Sequence, residues 1–163
     1  MTNSELLAAH LKGDLGMLTW HLADFSEADM IVRPCPGANH ANWQVGHLLG
    51  STGRLLAMVD SSFVTPVPAA LGEKYTKESS KADDPKQFAT LEELRAALTQ
   101  LAEAAHVWAS RLTPETLNGK SPDWAQDFAP TKDLFLAFIA SHVQMHIGQV
   151  QVIRRLLGKP HLM

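Results

Sequence analysis

The stretch from Thr131 to Gly158, TKDLFLAFIASHVQMHIGQVQVIRRLLG, decides how the rest of the chain is read. Phe135, Phe138, His142, His146, Gln149 and Ile153 recur at three- and four-residue steps, the period of one face of an α-helix. Gly158 followed by Pro160 is a helix stop, so the pattern predicts a helix over Thr131 to Leu157. Residues four apart differ by about 40° around the axis and lie one turn apart along it. The imidazoles of His142 and His146 can therefore reach one point. Both face inward, and two neutral histidines on a buried face need either hydrogen-bonding neighbours or an ion.

A second helix is predicted from His40 to Asp60, with Asn39 as N-cap. Trp43, His47, Gly50, Arg54 and Met58 lie near one line along it. Gly46, Gly50 and Gly53 each cost up to ~1 kcal/mol against alanine inside a helix, a cost that the close approach of a neighbouring helix offsets. If this helix packs on the one quoted above, His47 meets His142 and His146 across the interior. Three neutral imidazoles suit Zn²⁺, Ni²⁺ or Fe²⁺ and leave a position for water or substrate.

Two more amphipathic helices complete the pattern. The first runs from Ser4, as N-cap, to Phe25 with Leu7, Leu11, Leu15, Leu18, Leu22 and Phe25 on one stripe. The third runs from Thr90 to Leu112, with Thr90 and Glu93 as a capping box and Leu91, Leu94, Leu98, Leu101, Ala105, Trp108 and Leu112 inward. Pro34, Pro36 and Gly37 break the first link. Residues 61 to 88 form a long connection, as do 113 to 130, and long connections in compact domains are often functional. The expected architecture is all-α, a four-helix bundle in one domain over 1–163, with long loops between helices two and three and between three and four.

Composition narrows the function. The chain has 163 residues, 45% of them apolar and 19% charged, enough for one core. A net charge of −3 without clustered Lys and Arg argues against nucleic acid as a partner. The longest apolar run, Leu134 to Ala140, is far short of the ~20 residues that a membrane span needs. The N-terminus has no signal-peptide pattern, and the single Cys35 permits no internal disulfide. A cytoplasmic protein is expected. Eight histidines are the oddity.

The remaining histidines fit the site less well. His10 and His21 flank the stripe of helix one, about 16 Å apart, although His21 could line a pocket. His40 could edge a site mouth, His106 is expected to be exposed, and His161 lies in the tail. Arg54, two turns beyond His47, could bind an anionic substrate group. Gln149, one turn beyond His146, could orient a ligand. Trp43 is a candidate substrate contact, although it and Trp108 also fit the core. Cys35 reads as structural.

Three motifs now stand together: Pro34-x-Pro36-Gly37, Trp43-Gln44-x-Gly46-His47-Leu48, and His142-x-x-x-His146-Ile147-Gly148-Gln149. Their order and spacing resemble the DinB-like (YfiT-like) metalloenzyme family over nearly the whole chain. The resemblance implies a metal triad from one histidine on the second helix and two on the fourth, matched here by His47, His142 and His146. It also implies a homodimer, a small-molecule substrate and, as in the family's characterised branches, metal-dependent S-transfer or isomerisation with a low-molecular-weight thiol. Two alternatives stand beside that expectation, a metal-dependent hydrolase and a non-catalytic metal-binding bundle. Hydrolysis would want a carboxylate base near the water. Asp133 lies on the far side of its helix from His142, while Glu73, Glu78, Asp123 and Asp127 sit in the long loops.

Overall fold

The computed structural model describes residues 1–162. Six helices follow one another: α1 (Asn3–His21), α2 (Ala41–Val59), α3 (Ala69–Gly72), α4 (Leu91–Ala109), α5 (Pro114–Leu117) and α6 (Lys132–Leu156). Among the described residues there is no strand, only one antiparallel bridge between Lys120 and Thr131. The all-α expectation holds. The long helices pack as a ring, α1 against α4 and α6, and α2 against the same two. Consecutive α1 and α2 therefore occupy opposite corners, and α2 shares a seam with α6.

The leucine stripes build the interior. Leu11, Leu15 and Leu18 from α1, Leu48, Leu49 and Leu56 from α2, and Leu94, Leu98 and Leu101 from α4 are almost wholly buried, with Phe135, Ile139, Val143, Val150 and Ile153 from α6. Each fully buried side chain of this size stabilises the fold by roughly 1.5–3 kcal/mol relative to leaving it exposed.

Helix ends differ from the sequence expectation for identifiable reasons. The cap of α1 is Thr2, not Ser4, because Thr2 and Glu5 form a reciprocal capping box. The helix stops at His21 rather than Phe25, where tertiary partners take its last carbonyls. The Arg154 guanidinium donates to His21 O at 2.6 Å, and that of Arg95 donates to Leu22 O. The cap of α2 is His40, not Asn39: its Nδ1 accepts the Trp43 N–H while its Nε2 faces Ala82 O at 3.1 Å. The α4 box of Thr90 and Glu93 is as expected, but the helix gives way at Ser110, short of Leu112. The two long connections carry α3, α5 and three 3₁₀ turns rather than unbroken loop.

The α2 glycines serve a different neighbour from the helix anticipated. A Cβ at Gly46 would lie 2.2–2.3 Å from ring atoms of Tyr75, and one at Gly53 would lie 2.8 Å from Thr65 Oγ1. It is the 61–88 connection that presses into these notches. Tyr75 is then locked by three buried hydrogen bonds. Its hydroxyl donates to Asn42 Oδ1 (2.9 Å) and accepts from Ala89 N (3.0 Å), and Asn42 Nδ2 donates to Ala89 O (2.8 Å). Burial pushes the phenol up to about 12, so it remains protonated and able to donate.

Because that ring cannot step aside without breaking these bonds, Gly46→Ala is expected to destabilise the protein by about 1–3 kcal/mol despite alanine's better helix propensity. Urea denaturation monitored by circular dichroism checks this, and an unchanged midpoint would show that the notch yields.

Candidate metal centre

The seam between α2 and α6 brings His47, His142 and His146 together. One ring nitrogen from each lies within 4.8 Å of the other two. Ring centroids are 5.9 Å apart for His47 and His142, 5.6 Å for His47 and His146, and 4.9 Å for His142 and His146. Helix geometry supplies the last spacing, and packing of α2 on α6 supplies the other two. His146 is buried, while His47 and His142 are half-buried at the surface of the seam.

Two of the three rings are held from behind. The indole of Trp43 stacks on His47 with centroids 4.9 Å apart and planes 7° from parallel. That indole is fixed in turn, its Nε1 donating to Thr76 O (3.0 Å) and Ser79 Oγ (3.2 Å) in the 61–88 connection. His146 Nδ1 faces Gln44 Oε1 at 3.2 Å. Gln44 Nε2 donates to Asn39 O at 2.9 Å, so the amide oxygen is the end turned to the ring. An amide oxygen only accepts. His146 Nδ1 therefore carries the proton and Nε2 is left with its lone pair, the arrangement expected of a metal-ligating histidine.

His142 supplies the test of fit. Its Nδ1 is buried and has no hydrogen-bond partner, a state that costs about 1–3 kcal/mol for a polar atom left so. Three imidazoles that converge with a buried ring nitrogen left unpartnered among the described residues match the donor set of a borderline divalent ion. The electrostatics agree. Burial lowers the pKa of all three rings, His146 to about 4, and the neighbouring His142 and Arg54 lower His47 further. No carboxylate contributes to any of these shifts. Metal ligands must be neutral imidazoles, and neutral is what this environment enforces.

Other expected residues fall as follows. Arg54 is exposed, on the same face of α2 as His47 and bordering a cavity of about 430 Å³. His21 does not join the site. It is 3% exposed, its Nδ1 is on Met17 O at 2.8 Å, and its carbonyl is held by Arg154, about 12 Å along α6 from His146. Gln149 is exposed, and no hydrogen bond joins it to the triad among the described residues. The residue bonded to the triad is Gln44, three residues before His47, whose facing toward α6 its spacing alone does not reveal. His40 is buried as a cap rather than lining a mouth, and His106 is half-buried rather than exposed. Asp133 is engaged with Thr131 and Asn3, away from the triad.

The largest cavity described, about 760 Å³ around Trp108, Phe63 and Arg111, lies near the C-terminal ends of α2 and α4. Its size does not make it the site, because it contains no cluster of metal ligands. Beyond the triad, Phe138 lies one turn before His142 and joins Phe128 (4.9 Å) and Trp124 (6.4 Å), two rings that are 53% and 54% exposed.

A family model described as the DinB superfamily matches residues 10–150. The crystal structure of a conserved protein from Enterococcus faecalis is similar with a TM-score of 0.74 and 18% identity, over 98% of this chain and 99% of that one. That likeness speaks to the fold alone. No curated protein matches the chain.

Two outcomes are expected. With divalent ions chelated, the unfolded chain binds a proton at His146 below pH ~6.5 that the folded chain refuses until about pH 4. Stability should therefore fall as pH drops through that window, by roughly 3 kcal/mol for this residue. His146→Gln should flatten the slope in denaturation series run from pH 7.5 to 4.5. Gln44→Leu should weaken divalent-ion affinity by about 10–100-fold while leaving the fold intact, read by competition with a chromophoric chelator.

Proposed function

Because the chain belongs to the DinB superfamily, we propose that His47, His142 and His146 hold one divalent ion, zinc, nickel or iron, and that the protein is a transferase joining a low-molecular-weight thiol to an electrophile. The convergence of three neutral imidazoles from two helices carries this reading. When bound, the ion supplies Lewis acidity that lowers the pKa of a thiol and makes it nucleophilic at neutral pH. In the reaction the thiol sulfur forms the new bond to carbon, and the proton it loses departs with the displaced group.

The protein's residues then have separable roles. His142 and His146 present their nitrogens from consecutive turns of α6, and Gln44 fixes the His146 tautomer. Trp43 keeps the His47 ring in one orientation. The half-buried faces of His47 and His142 leave the seam open to a small molecule. Arg54, with no acid bonded to it among the described residues, is suited to an anionic group on the substrate. The lack of a carboxylate acting on the three rings favours S-transfer over hydrolysis, which needs a base beside its water. A homodimer is part of the same proposal, on the strength of the family.

Metal-loaded protein should consume an electrophile only when a thiol is supplied, and His47→Ala should lose both the ion and at least ~100-fold of the rate. The check pairs elemental analysis with assays of thiol and electrophile loss. Ester or amide turnover without thiol would replace this reading with a hydrolase. Metal binding with neither activity would leave a non-catalytic metal protein.

A further inference from the structure

The cavity of about 430 Å³ lies between α2 and the connection that carries α3, and its α2 wall includes Gly50, one turn beyond His47. Gly50 and Gly72 both line it. A Cβ at Gly50 would stand 4.0 Å from the Gly72 Cα and 3.4 Å from Arg54 Nη1. The guanidinium therefore folds back along α2 toward the triad, and its charge is felt at His47. Glu73, the C-cap residue of α3, lines the same cavity. Opposite charges thus border one small space, yet among the described residues no ion pair joins Arg54 to Glu73 or either of them to another group. A base and an acid left unpaired around a ligand-sized cavity form a complement for a molecule that carries both charges.

We propose that this cavity binds the amino-carboxylate end of the thiol substrate, so that the substrate class is a zwitterionic, cysteinyl-type thiol. This rests on the thiol-transfer reading above. The carboxylate sits on the Arg54 guanidinium in the bidentate geometry arginine favours, and the ammonium faces Glu73. The sulfur points along α2 toward the histidines. His47 and Gly50 are about 4.5 Å apart along the helix axis, a separation that the three-carbon frame of a cysteinyl unit spans. A thiol lacking either charge would leave Arg54 or Glu73 without its partner.

Calorimetric titration of the metal-loaded protein with L-cysteine, cysteamine, 3-mercaptopropionate and S-methylcysteine tests this. L-cysteine should bind at least about tenfold tighter than cysteamine, which lacks the carboxylate, and than 3-mercaptopropionate, which lacks the ammonium. Arg54→Gln should abolish the preference over cysteamine. Glu73→Gln should abolish the preference over 3-mercaptopropionate in the same way. Equal affinities for the three thiols, or preferences that survive both substitutions, overturn the proposal. Cobalt-substituted protein separates it from the reading beneath it. A sulfur-to-cobalt charge-transfer band that grows with the same affinity for all three thiols upholds thiol binding and removes the cavity's role. No band with any thiol, alongside S-methylcysteine binding that depends on Arg54 and Glu73, upholds the cavity and removes the thiol chemistry.

Discussion

The cost of keeping imidazole nitrogens away from water without charging them is the constraint around which the α2–α6 seam is arranged. A ring buried like His146 can stay neutral only if one nitrogen has a fixed acceptor and the other has something to give its lone pair to. Gln44 meets the first need for His146. Among the described residues no group meets the second need, and the buried Nδ1 of His142 has no partner at all. The absence of a carboxylate acting on the three rings turns that cost toward a cation of different chemistry from a proton. A nearby acid would have stabilised imidazolium and set the ligands against the ion.

The rest of the fold makes that seam rigid. The 61–88 connection does most of this, through two contacts that mesh with α2. Tyr75 lies in the notch left by Gly46, and Thr76 with Ser79 holds the indole that stacks on His47. Arg33 ties the same connection to the first link, donating to Ala38 O, Ser80 O and Ala82 O and pairing with Asp83. On the far side of the bundle, Arg154 is 1% exposed and grips the end of α1 through His21 O and the Asp24 carboxylate. The charged residues that do this structural work are thus distinct from Arg54, which has no acidic partner among the described residues.

Much of this could be read in the sequence, because it rests on periodicity. The inward stripes, the Thr90 box and the shared face of His142 and His146 follow from three- and four-residue spacing and the stop at Gly158 from its residue type, while the approach of His47 needed α2 to pack on α6. What could not be read depends on contacts between distant residues. That α1 ends at His21 is decided by arginines 73 and 133 positions away. That glycines on α2 accommodate a tyrosine from a connection, and not another helix, is decided by how that connection folds back. The exchange of Gln149 for Gln44 is of a different kind. Both lie a turn or less from a ligand, but the α2 residue points into the seam and the α6 residue points out of it, and facing relative to the partner helix settles which can serve.

The parallel stack of Trp43 on His47 has an optical consequence. An excited indole is sensitive to the electron demand and orientation of whatever lies against its face, and here that neighbour is the single ring that α2 contributes to the cluster. Trp108 packs on Phe63, Trp124 on Phe128, Phe135 and Phe138, and Trp20 on His21, so among the described residues Trp43 is the indole that pairs with a triad ring. An ion entering the seam would act on the ring against which that indole lies, so the chain would carry its own indicator dye.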